Sequence, residues 1–286
     1  MRVVLWARPR GRTWRLTARG ARIRRVSEAE VRVVRIAGFT AAFVAALVLQ
    51  RLFPHRNLRG SWRLNGGLWL VDIVLTGILC GACVCLAARW AEERDVGLLA
   101  STALPAWAGI GVSVLFLDLV SWGWHRANHR VSFLWRFHGV HHSDPTFTVS
   151  TALRFHPGEL LLSLPLRLAA VIALGVPVAG VLVFEIAFTL ANLIEHGDVS
   201  LPVRLERRLS FGIVTPSLHR RHHSIDEKDL NTNFGTVFSV WDRMFGTFRY
   251  GSSADRLTTG LPGGRPIGTL RDALLHPFLE TSVRMR

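Results

Sequence analysis

The chain has one lysine, Lys228, among 35 basic residues, and only 20 acids to set against them. Its positive excess is arginine, with eleven arginines in the first 35 residues. Charged residues make up only 19% of the sequence and apolar ones 49%, a balance that leans away from an ordinary soluble domain and towards a membrane protein. On so apolar a chain the expected partner of a basic tail is anionic lipid headgroups, not nucleic acid. Cysteine is scarce too. Cys80, Cys83 and Cys85 fall in one apolar stretch, which implies no disulfide framework. A lone C-x2-C-x-C cannot close a four-ligand site, so inert buried thiols are expected. No apolar run followed by a small-residue cleavage site occurs near the start, so no removable secretory signal is expected. Solenoid repeats are missing, and nothing reads as a flavin, haem or iron–sulfur domain.

What is present is a series of apolar stretches. Residues 1–32 read as a basic tail and residues 33–103 as N-terminal membrane helices. Within the latter, 33–50 is marginal for a crossing, which needs about 20 apolar residues. Residues 66–88 form a clearer segment broken only by Asp72. Residues 104–124 make a third helix that runs straight into His125. Between Glu159 and His196 the apolar pattern is interrupted by Pro165, Gly175 and Pro177. The two arms, 160–174 and 179–196, read as a re-entrant hairpin that returns to the face it left. Residues 251–286, rich in Gly, Pro and Arg, read as a loose C-terminal tail. The expected fold is an all-α integral membrane protein with four to five membrane helices, hairpin included, capped by a histidine-rich region.

The histidines are not scattered. HRANH (His125, His129), HGVHH (His138, His141, His142) and HRRHH (His219, His222, His223) hold eight of the twelve. Neutral imidazole is a common ligand for zinc, iron and copper. Without metal, so many imidazoles packed together would repel as they protonate. Eight or nine nitrogen donors exceed what one tetrahedral ion uses, so two adjacent metals are expected. Structural zinc, usually closed by four ligands and often by thiolates, is the principal alternative, with metal handling beside it. Bis-histidine haem needs only one facing pair, and a transport path belongs at the bilayer midplane, away from helix ends.

Two polar stripes accompany the clusters. Asp118, Trp122, His125 and His129, spaced four, three and four apart, lie within about 60° on a helix. Glu185, Thr189, Asn192 and His196 repeat that spacing on the hairpin's second arm and are expected to face inwards. Connections on the histidine side carry many arginines, so the positive-inside rule makes that side cytoplasmic; the arginine-rich tail runs against this assignment unless the first segment does not fully cross.

The order HRANH, HGVHHSD, TALRFHPGE, LIEHGDV, TPSLHRRHHS, NTNFG and WDRMFGTF resembles the fatty acid hydroxylase and sterol desaturase superfamily of membrane non-haem di-iron oxygenases. The resemblance covers roughly residues 104–250. It implies a four-helix membrane fold with a cytoplasmic cap, and two iron ions (zinc in some purified samples) held by the eight motif histidines. His196, in LIEHGDV, matches a further single histidine ligand, whereas Asn192 stands where some members have another. His156 matches the pattern as a supporting group, and Asn192, Glu185 and Asp118 are candidates to orient imidazoles or relay protons. His55 and His276 match no motif. The implied activity is O2-dependent hydroxylation or desaturation of a fatty acyl, alkyl-ether or sterol-like lipid, with two electrons from a separate donor protein.

Overall fold

The computed structural model describes residues 27–80, 82–250, 257–263 and 267–279. Most of the expected basic tail, residues 1–26, lies outside the described residues, as do parts of the C-terminal tail. The described chain is all-α, with isolated bridges and no strand.

Helix α1 spans Glu28–Leu52 and begins five residues before the expected boundary. Ser27 starts it: its hydroxyl accepts from Glu30 N at 3.2 Å, and the Glu30 carboxylate accepts from Ser27 N at 2.8 Å. Two donors that would be orphaned at a helix start are thus satisfied reciprocally. The expected single segment 66–88 is two helices, α2 (Trp62–Cys80) and α3 (Cys83–Arg94). Helix α4 (Ala106–Arg130) carries HRANH, and after Val131 alone α5 (Ser132–His142) carries HGVHH.

Helices α6 (Pro157–Leu174) and α7 (Val178–Glu195) form the antiparallel pair expected as a re-entrant hairpin. Each runs 18 residues, and Pro165 sits inside α6 without ending it. Their turn packs against the connection after α3. There Gly97 (φ +102°) and Gly175 (φ +73°) approach so closely that a Cβ on Gly97 would run into the Gly175 backbone. The pair therefore reaches as deep as the α3–α4 connection and has the length of two ordinary helices. Four helices among the described residues, α1, α4, α6 and α7, are long and apolar enough to cross a membrane. Their outward residues are large and apolar: Ile36, Val44, Leu115 and Val183 are exposed. In a membrane that surface meets lipid. The chain is an integral membrane protein.

Helix α7 packs on α1 and α4, and α6 on α2, α3 and α4. The core between them is aliphatic, with Val171, Leu174, Val176 and Val181 buried. All the histidine clusters emerge at one end of this bundle. They are covered by short helices α8 (Val203–Leu209), α9 (Pro216–His222), α10 (Glu227–Leu230) and α11 (Val240–Met244). The expected loose tail also contains a helix, α12 (Leu270–Leu279), which packs on α5 and α2.

Candidate metal centre

Nine histidines meet at the head of the bundle in two groups. His125, His129, His138, His142 and His222 form one, and His141, His196, His219 and His223 the other. Within each, one nitrogen per ring lies within 4.8 Å of all the others. The sequence motifs do not map onto the groups. HGVHH and HRRHH are not separate walls: adjacent residues of each, His141 and His142, then His222 and His223, point into different groups.

Hydrogen bonds fix several of the rings. Nδ1 of His125 donates to Phe234 O at 2.8 Å, that of His222 to Thr232 O at 2.7 Å, and that of His141 to Arg154 O at 3.2 Å. Nδ1 of His196 donates to Asn192 O at 2.6 Å. A carbonyl only accepts, so in a neutral ring the opposite nitrogen, Nε2, is left with a bare lone pair. His138 faces a carboxylate instead, with Nδ1 at 3.0 Å from Glu159 Oε1, which also accepts from Asn128 Nδ2 at 3.0 Å.

The Nε2 atoms then face one another. His196 and His141 approach to 3.0 Å, His219 and His196 to 2.9 Å, and His142 and His138 to 3.2 Å. Between His196 and His141 both lone pairs are bare and cannot bond each other, whereas all three spacings match neighbouring donors around an ion with bonds of about 2.1 Å. Eight ring nitrogens of the nine histidines are buried with no hydrogen-bond partner. At about 1–3 kcal/mol each, they would together cost roughly 10–20 kcal/mol. That rivals the whole stability of a domain, about 5–15 kcal/mol. The donor set fits metal ions, which would remove this cost.

Electrostatics agree. Burial pushes the His222 imidazole down to about 3 and His196 down to about 4, the latter opposed by its bond to Asn192 O. His141, His142, His219 and His223 are also held well below the usual range, first by burial and then by neighbouring imidazoles. These rings are neutral at physiological pH, the form a metal requires.

The polar residues beside the histidines divide differently from the sequence expectation. Asp118 accepts from Val237 N, Phe238 N and Trp241 Nε1. It holds the cap against α4 and bonds no imidazole. Trp122 likewise donates to Asp242, whose carboxylate fixes Phe234 N and Gly235 N. Through Phe234 that acid positions His125. Glu185 is held by two bonds of 2.7 Å from Arg35 on α1, as a clamp between α1 and α7. His156 caps α6, its Nδ1 accepting from Gly158 N and its Nε2 facing Leu274 O. It belongs to neither group. Asn192 holds His196 through its backbone carbonyl, and its side chain donates to Ala152 O at 3.3 Å.

Sequence reasoning missed Glu159 and Glu195. Glu159 lies in the quoted TALRFHPGE stretch, three residues after His156. Glu195 precedes His196, and its carboxylate lies 3.8 Å from His219 Nε2. Arg154 was also missed as a positioning group. Fully buried, it ties Val140 O, Ser143, Asn65 and Ile267 O together while its own carbonyl orients His141. The signal for all three was a charged residue inside a histidine motif.

Beneath the histidines, between the membrane helices, lies a cavity of about 250 Å³. Members of both groups line its head, including His125, His138, His141, His196 and His219, with Glu159 and Glu195. Its other walls are largely apolar, with Phe39, Trp69, Leu160 and Phe188.

Membrane helices, nine converging imidazoles and an apolar cavity under them define an integral membrane protein with a polyhistidine metal-type centre. The family model described as "Fatty acid hydroxylase" matches residues 110–247, just under half of the chain. The ornithine lipid hydroxylase OlsE of Rhizobium tropici is 29% identical over 253 residues, 84% of this chain and 73% of that protein. The alkylglycerol monooxygenase of Danio rerio is 31% identical over 59% of this chain and 36% of its own length. The cholesterol 25-hydroxylase of Rattus norvegicus is 27% identical over 52% and 49%. The chain thus spans about half or less of these last two relatives. No solved structure matches. Residues 110–247 of the chain are thus similar to the fatty acid hydroxylase family.

Proposed function

We propose that the protein is a membrane oxidoreductase that hydroxylates a lipid with O2 at two irons held by the nine histidines. The observation that carries this reading is the cavity: an apolar space among membrane helices ends on donors from both histidine groups. Two irons bound there would supply reduction of O2 and attack on an unactivated C–H bond. Structural zinc would need neither nine donors nor a cavity opening onto them.

The chain's own residues do the rest. Phe234, Thr232, Arg154 and Asn192 lock ring orientation through their carbonyls, and Glu159 does so for His138. Such support raises ligand basicity. The free carboxylate oxygens, Glu159 Oε2 and Glu195 Oε2, are buried and without partners, where they can hold protons delivered during turnover. The apolar walls exclude water and admit a lipid chain from the bilayer. Hydroxylation is favoured over desaturation because the relatives carry the names of hydroxylases and monooxygenases. The match to the ornithine lipid hydroxylase covers 84% of this chain, which favours a polar-headed membrane lipid.

In this reading residues 104–250 are the catalytic domain and 33–103 its membrane support. The histidine end faces the cytoplasm by the distribution of loop arginines, and a separate protein delivers two electrons there. The test is turnover of the purified, iron-loaded protein in nanodiscs with reductant, 18O2 and extracted membrane lipids. Mass spectrometry should find one lipid class gaining a single labelled oxygen. Products lacking two hydrogens and carrying no label, or no product at all, would refute the proposal.

A further inference from the structure

Arg167 lies on α6, is exposed, and lines the same cavity as the histidines. It makes no hydrogen bond or ion pair among the described residues. The acids whose charge it feels are Glu185 and Glu159. Glu185 is already held by two bonds from Arg35, and Glu159 by His138 and Asn128. A guanidinium inside a membrane helix without a partner is costly and marks a ligand path by default. Its planar fork fits a carboxylate or a phosphate.

From these observations we infer that Arg167 receives the anionic group of the lipid substrate and so selects acidic lipids over neutral ones. The inference rests on the lipid-hydroxylase reading and names the substrate class. Arg167 lies eight residues along α6 from Glu159, which bonds His138, so the rise between them is about 12 Å. Side chains on a helix lean back towards its N-terminus, here the histidine end, which shortens the separation. A lipid anchored at Arg167 would therefore present to the histidines an atom part-way along its length. Leu160, Leu166 and Phe188 enclose the apolar stretch between.

The test is binding, independent of turnover and metal. The full chain in neutral detergent is titrated calorimetrically with oleate, oleoyl lysophosphatidate and monoolein, three probes sharing one acyl chain. One or both anionic probes should bind about tenfold tighter than monoolein or more. Which anion wins separates a carboxylate head from a phosphate head. Arg167→Gln should bring all three to similar affinity, and Arg167→Lys should lose the preference several-fold without abolishing it. Equal affinities in the unaltered chain, or a preference intact in Arg167→Gln, would overturn the assignment. Should Arg167→Gln fail to fold, Arg167→Lys decides: an undiminished preference overturns it. Absence of hydroxylation would leave this binding result untouched, so the two proposals fail separately.

Discussion

The imidazoles of His142 and His223 stack with centroids 4.1 Å apart and planes 15° from parallel, yet they belong to different donor groups. His142 stands with the group of five and His223 with the group of four. HGVHH and HRRHH each supply both groups, while HRANH serves only the five and His196 only the four. The two groups are therefore halves of one centre, locked in mutual register.

Their donor counts differ, and this predicts unequal responses to losing a ligand. His219→Ala leaves three donors in its group, whereas His129→Ala leaves four. His219→Ala should fall to about one metal per chain, while His129→Ala retains closer to two. Elemental analysis of both variants checks this, and equal losses would contradict the division.

Glu159 should matter to metal retention although it belongs to neither donor group. Glu159→Ala removes the acceptor facing His138 and should weaken metal affinity by about 10- to 100-fold. Glu159→Gln keeps an acceptor and should recover much of that loss. Timed dialysis against a chelator measures both.

Acid should destabilise the metal-free protein in a defined window. His222 and His196 are depressed in the fold to about 3 and about 4. An unfolded histidine titrates near 6.5. Between these values the unfolded chain binds protons that the folded chain refuses, so stability falls as pH drops below about 6.5. The fall should continue to about 3 and then flatten for these groups. Melting temperature against pH tests the sign: a rise on acidification would contradict it.

The Arg35–Glu185 pair should support the fold and leave the centre intact. Glu185→Ala removes the carboxylate that Arg35 bonds between α1 and α7 and should cost on the order of 1–3 kcal/mol. Metal content should stay unchanged in the variant. A lower melting temperature at full occupancy is the expected result, and metal loss without destabilisation would return Glu185 to the site.

These contrasts show what a sequence can and cannot carry. The histidines were legible because metal binding needs one residue type at helical spacing, and all nine expected ligands converge. The membrane helices were legible in part from apolar length: 66–88 is two helices, and the marginal 33–50 belongs to a 25-residue α1 that starts earlier, at a Ser27-x-x-Glu30 capping box visible in the chain. The polar stripes misled for a physical reason. A shared helix face says which way Asp118 and Glu185 point, but not whether a histidine, a cap backbone or Arg35 meets them first. Glu159 and Arg154 depend on the same information: their partners come from other helices, and only docking decides them. The α6–α7 pair was legible as two arms, 160–174 and 179–196, on either side of the Gly175–Pro177 turn, and α6 carries Pro165 through.

The central claim is that the nine histidines hold two irons. Metal analysis of the chain purified from iron-replete cells tests it most directly. The account predicts about two irons per chain, with O2 uptake that requires both reductant and lipid and disappears in His222→Ala. A single zinc per chain, retained in His222→Ala, would contradict it.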